Sequence, residues 1–116
     1  LRVDRGMVDA FAGSFLSEPK PDVFFTAPAA PVTRAAFTRA IRARGVALDR
    51  RAQLLYDTRS FYINGQQLRA PREARRGLAA LADSRALTAP QCAALNAAAV
   101  AQFYLWYRDG YIDTTT

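Results

Sequence analysis

The stretch Ala97–Asp109 constrains the fold more than any other part of this chain. Asn96 is placed to cap a helix there and Gly110 to end it, while Val100, Phe103, Tyr104, Leu105, Trp106 and Tyr107 spread nearly around its axis. Before the terminal Asp109, only Gln102 and Arg108 are plainly polar. A helix apolar on all sides must be covered by other elements, so the rest of the chain is expected to wrap it. The length of 116 residues suffices for one domain with a real hydrophobic core and is too short for two.

The elements that could do the wrapping are short. Thr33 is a suitable N-cap for a helix running to about Arg44, with Phe37 and Ile41 one turn apart on its inner side and Gly45 as its stop. Val46–Leu48 and Gln53–Tyr56 read as short strands with a polar turn at Asp49–Arg51 between them. Ser60–Ile63 is another strand, and Asn64-Gly65 is the strongest turn signal in the chain, returning Gln66–Arg69 antiparallel. Pro71 suits the first turn of a helix to about Asp83, with Ala74, Leu78 and Leu81 inward. Arg72, Arg75 and Arg76 then form a positive stripe on the opposite arc. Thr88 with Gln91 is a capping box for a short helix, and Tyr111–Asp113 adds a last strand. Helices with a small antiparallel sheet make an α+β domain.

Chemistry-bearing residues are few. Histidine is absent, which removes the commonest catalytic base and neutral metal ligand, and the lone Cys92 excludes a disulfide or a thiolate cluster within the chain. Set among Ala and Leu, Cys92 is expected to be a buried, inert thiol. Asp49 and Asp57 read as turn residues and Asp109 and Asp113 flank a helix end, with no base or nucleophile nearby. No phosphate-binding glycine loop or calcium-loop spacing occurs. No catalytic, metal-binding or cofactor-binding residue is therefore assigned, and the chain by itself is not read as an enzyme. No apolar run reaches the roughly 20 residues of a membrane span, and a cytoplasmic location is expected.

The net charge of +6 is concentrated in the middle, where residues 31–85 hold twelve arginines against Asp49, Asp57, Glu73 and Asp83. Guanidinium groups pair with phosphate or carboxylate, so the stripe of Arg72, Arg75 and Arg76 is the candidate contact for an acidic partner. Residues 1–30 have another character. Arg2–Leu16 reads as an amphipathic helix with Met7, Val8, Phe11 and Phe15 on one side, closed by Pro19 and Pro21, and Val23–Phe25 forms an extended apolar anchor before a Thr26–Pro31 connector. That segment is too short to bury its own aromatics. Phe11, Phe15, Phe24 and Phe25 are the candidate interface with a preceding domain or a second subunit. The chain opens on Leu1 rather than Met and reads as helix at once, so it is expected to be part of a longer protein. A boundary near residue 30 divides an N-terminal arm, 1–30, from a domain spanning 31–116.

Short helices plus hairpins with an arginine-rich middle suggest a winged-helix-like domain preceded by a helical arm. Sequence-specific DNA reading is disfavoured, because the helix that would meet base edges, Ala97–Asp109, is apolar. Five stretches point further. Phe15-Leu16-Ser17-Glu18-Pro19-Lys20-Pro21-Asp22-Val23-Phe24-Phe25 resembles the segment that follows the catalytic part of bacterial ribosomal oxygenases. Arg44–Arg51, Leu55-Tyr56, Phe61–Gln66 and Trp106–Ile112 resemble that family's C-terminal winged-helix region. The resemblance covers nearly the whole chain. It implies a parent protein of cupin/JmjC type, with a double-stranded β-helix that binds Fe(II) and 2-oxoglutarate and hydroxylates an arginine of a ribosomal protein. A helical dimerisation region and this terminal domain would follow, with residues 2–16 as the last part of the dimerisation region. The family's His-x-Asp…His metal set has no counterpart here. The implied role is a non-catalytic accessory domain supporting a homodimer, with a preceding catalytic domain and a ribosomal protein substrate as partners. The alternative is a stand-alone basic module that binds nucleic acid or protein.

Overall fold

A computed structural model describes residues 16–19 and 23–115. The helix expected over residues 2–16, with Phe11 and Phe15, falls almost wholly outside the described residues. Only its end is seen, at Leu16 and Ser17.

Thr33, in extended conformation, accepts a hydrogen bond on its hydroxyl from Ala36 N at 3.2 Å and opens α1, Arg34–Arg44. Phe37 and Ile41 are fully buried on its inner side. The chain turns at Gly45 into β1, Val46–Leu48, the middle strand of an antiparallel sheet flanked by β5, Ala86–Leu87, and β6, Ile112–Thr114. A second antiparallel sheet is a meander of β2, Leu54–Tyr56, β3, Phe61–Ile63, and β4, Gln66–Leu68. Asn64 at φ 48° and Gly65 at φ 87° make its tight turn, because a two-residue hairpin needs positive φ at both central positions. The small sheet anticipated from sequence is therefore two sheets. Val46–Leu48 and Leu54–Tyr56 belong to different ones, since β1 finds its partners 39 and more residues downstream.

The helix anticipated from Pro71 begins as a 3₁₀ turn, Arg72–Ala74, and continues as α2, Arg75–Ser84. It ends on Arg85, held at φ 65°, a conformation arginine seldom adopts. The cause is tertiary: the Arg85 guanidinium donates to the carbonyls of Ala52 at 2.9 Å and Asp49 at 3.1 Å. The Thr88–Gln91 capping box then opens α3, Ala89–Ala93. Asn96 caps α4, Ala97–Asp109, by accepting from Ala99 N at 3.0 Å.

Helix α4 sits at the centre, as its composition requires. Ala99, Val100, Phe103, Trp106 and Tyr107 are buried against α1 and the rest of the core. Phe37 lies 4.9 Å from Tyr107 and 5.6 Å from Tyr104 between ring centroids. Complete burial of Phe103 alone is worth about 2–3 kcal/mol. Of its large apolar residues, Leu105 remains 54% exposed.

The connector from Thr26 onward runs over this core. Val32 is held between two tyrosines of α4, its N–H donating to the Tyr107 hydroxyl at 3.1 Å and its carbonyl accepting from the Tyr104 hydroxyl at 2.8 Å. Gly110, at φ 85°, lies against the Thr26 carbonyl, where an added Cβ would stand 2.5 Å from the oxygen. Gly110→Ala is expected to destabilise the domain by about 2 kcal/mol or more, combining left-handed strain with displacement of residues 26–27. Urea unfolding of the two proteins measures it.

Candidate functional site

The three arginines singled out from sequence do not share one environment. Arg72 and Arg76 are exposed, and Arg76 lies at the rim of a shallow groove lined also by Glu73, Gly77, Leu95 and Ala99. Arg75 is half-buried and spans to the β2–β3 turn. Its guanidinium donates to the Asp57 carbonyl at 2.8 Å and the Arg59 carbonyl at 3.0 Å, and lies 5.0 Å from the centre of the Phe61 ring. Helical periodicity places all three on one arc but carries no information about a turn sixteen residues away that needs donors.

Asp57 organises that turn. Its Oδ1 accepts from the backbone N–H groups of Arg59 and Ser60, each at 2.8 Å, and its Oδ2 accepts from the Tyr62 hydroxyl at 3.0 Å. Burial pushes the carboxyl pKa up, but the amides of Arg59 and Ser60, the Tyr62 hydroxyl and the Arg75 charge together hold it below the ordinary value of 3.8. The carboxylate, with three donors on its two oxygens, is a structural anion rather than a general base. Asp49 plays a similar part at its own turn, accepting from the backbone and guanidinium of Arg51 at 2.9–3.1 Å. Burial pushes the Cys92 thiol pKa up, against a hydrogen bond from the backbone of Val46, and the side chain is fully enclosed.

The apolar anchor is split in the same way. Phe25 is half-buried and packs edge-on against Tyr111 at 5.1 Å. Phe24 points away and is 77% exposed. Leu16, at 55%, is also exposed, beside a buried Ser17 whose hydroxyl accepts from Gly65 N at 3.0 Å. Phe11 and Phe15 lie outside the described residues.

Helices α3 and α4 are joined by the tight Ala94–Asn96 turn, and α4 packs against α1 and β6. A family model described as ROXA-like winged helix matches residues 1–113. The chain belongs to the ROXA-like winged-helix family. Among solved structures, it is similar to the ribosomal oxygenase YcfD from Escherichia coli, with a TM-score of 0.74 and 24% identity over 90% of this chain and 29% of that one. A second structure of E. coli YcfD gives 0.72 and 25% over 88% and 28%. YcfD in complex with cobalt and succinic acid gives 0.72 and 25% over 87% and 28%. The chain thus spans less than a third of the solved proteins it matches. No curated protein matches.

Helix α4 offers Leu105, Arg108 and Asp109 on its outer arc. A leucine and an adjacent opposite-charge pair are poor readers of base edges. Among the described residues, no three acidic or thiol side chains converge to hold a metal, and no helix is long and apolar enough to cross a membrane.

Arg75→Ala is expected to cost about 1.5–3 kcal/mol, because two carbonyls lose charged donors, whereas Arg72→Ala or Arg76→Ala should change stability by less than about 0.5 kcal/mol. Denaturant titration separates them. Asp57, with its pKa depressed in the folded state, contributes stability that is fully present above about pH 3.8 and is lost as pH falls through its lower folded value. Asp57→Asn should flatten that acid limb, which thermal melts between pH 2 and 6 would read.

Proposed function

We propose that this winged helix is the non-catalytic C-terminal accessory domain of a ribosomal oxygenase, carried behind a catalytic domain and supporting a homodimer. In this reading residues 1–30 end the dimerisation region and 31–116 form the accessory domain. The join is a rigid one, supported by Phe25 packed on Tyr111 and Val32 held by Tyr104 and Tyr107. Fe(II) and 2-oxoglutarate would be held elsewhere in the parent protein. The donor set here, with no histidine and no converging carboxylates among the described residues, does not fit a ferrous ion. The substrate would be a ribosomal protein met in the cytoplasm. Arg72 and Arg76, free of structural duties among the described residues, are the members of the arginine stripe suited to steer it.

The observation that carries this reading is Phe24. A phenylalanine left exposed beside one that is locked down, at the point where the chain enters the domain, marks a surface awaiting cover. Phe11 and Phe15 would extend that surface along the arm. Their neighbour Phe25 contributes by holding the anchor in place. Phe24→Asp in the full-length protein should leave the winged helix folded, since the side chain touches little of it. It should weaken dimerisation or domain association at least tenfold, an estimate based on desolvating a buried aromatic at an interface. Sedimentation velocity across a dilution series, read beside hydroxylation of the ribosomal substrate, tests it. An unchanged association state and unchanged activity would contradict the proposal.

A further inference from the structure

Within α1 and α3 the charge is of one sign. From Thr33 to Leu48 and from Ala86 to Tyr107, the stretches that form α1, β1, β5, α3 and nearly all of α4, the only charged residues are Arg34, Arg39, Arg42 and Arg44 of α1. Helix α1 packs against α3, so its neighbour on that side is uncharged as well. Strand β6, which also touches α1, brings one acid, Asp113, whose Oδ1 already accepts from Thr114 N at 2.7 Å.

With Phe37 and Ile41 turned into the core, helical geometry puts Arg39 and Arg42 on the outward arc, one turn apart, with Ala35 and Ala43 beside them and Arg44 at the end. All five are exposed. Arg34 is partly committed, donating to the Ala97 carbonyl at 3.3 Å. Among the described residues, Arg39, Arg42 and Arg44 make no side-chain hydrogen bond or ion pair. Arg42 and Arg44 also complement the carboxyl end of the helix dipole, but Arg39 lies mid-helix, where that explanation does not reach.

We infer that this face of α1 binds the phosphate backbone of double-helical RNA, without reading its sequence. Two features favour a polyphosphate over a protein. The face holds arginines and alanines with no aromatic or large aliphatic anchor, and protein interfaces draw most of their energy from such anchors. Small alanines around the guanidiniums also let a backbone approach closely, where forked donors engage phosphate oxygens. The choice of RNA rests on the proposed place of this domain in a ribosomal oxygenase. The surface is distinct from α4, the groove-reading helix of DNA-binding winged helices, and from the Arg72 and Arg76 positions on the 3₁₀ turn and α2.

Fluorescence anisotropy of a labelled RNA duplex with the full chain, over roughly 50–200 mM salt, tests the inference. Arg39→Gln/Arg42→Gln/Arg44→Gln should weaken binding about tenfold or more and make the log K against log salt slope shallower by about 2–3. The Lys triple variant should keep most of the slope, and Arg72→Gln/Arg76→Gln should bind as the parent does. RNA affinity unchanged in the Gln triple variant would overturn the inference. So would equal binding to duplex DNA, or displacement of the RNA by polyglutamate at equal charge concentration, which would point to an acidic protein. If RNA binding fails while Phe24→Asp still disrupts association of the full-length protein, only this inference falls and the accessory-domain reading stands.

Discussion

The placement of Phe37 between Tyr104 and Tyr107 determines how the two longest helices meet, and much else follows from that contact. It turns the inner side of α1 onto the central helix and so sends Arg39 and Arg42 to solvent. The same two tyrosines extend their hydroxyls past the ring contact to hold both backbone groups of Val32. The connector is fixed by that pair, and with it the direction from which the N-terminal anchor arrives. Phe25 can then reach Tyr111 while Phe24 cannot reach the core. A single aromatic stack thus links the core, the basic helix and the exposed phenylalanine.

The second sheet is attached by another device. Helix α2 carries an arginine near each end, and each donates to backbone carbonyls of a turn in the β1–β3 region: Arg75 to Asp57 and Arg59, Arg85 to Asp49 and Ala52. Buried or half-buried carbonyls in irregular turns lack ladder partners, and a planar fork of donors satisfies two at once. Of the twelve arginines that make the middle of this chain basic, Arg75 and Arg85 are therefore spent on architecture, and Arg34 and Arg51 are committed to Ala97 and Asp49 as well. Net charge alone overstates what is free to meet a partner.

Features decided within a few residues were legible in the sequence. Thr33, the Thr88–Gln91 box, Asn96, Gly110 and the Asn64-Gly65 turn all act where local chemistry puts them, because caps and tight turns draw on neighbouring N–H groups or on a φ few residues tolerate. The apolar circumference of α4 correctly marked it as central, although Leu105 escapes cover. Features decided at long range were not legible. Strand β5 is two residues long, too short for alternation to register, and exists because β1 has an open edge. The left-handed Arg85 has no local signal, since a glycine would be expected there and the compensation comes from the 49–52 turn. Arg75 looked like its neighbours Arg72 and Arg76 for the same reason. The motif likeness to ribosomal oxygenases reached the family that residues 1–113 match.

The central claim is that this winged helix works as one part of a larger oxygenase, and the intact mass of the native protein in its source tests it most directly. A mass of about 40–45 kDa, the size of a catalytic β-helix domain with a linking region added to this one, is the predicted result. A mass near 12.8 kDa, that of the present chain alone, would contradict it.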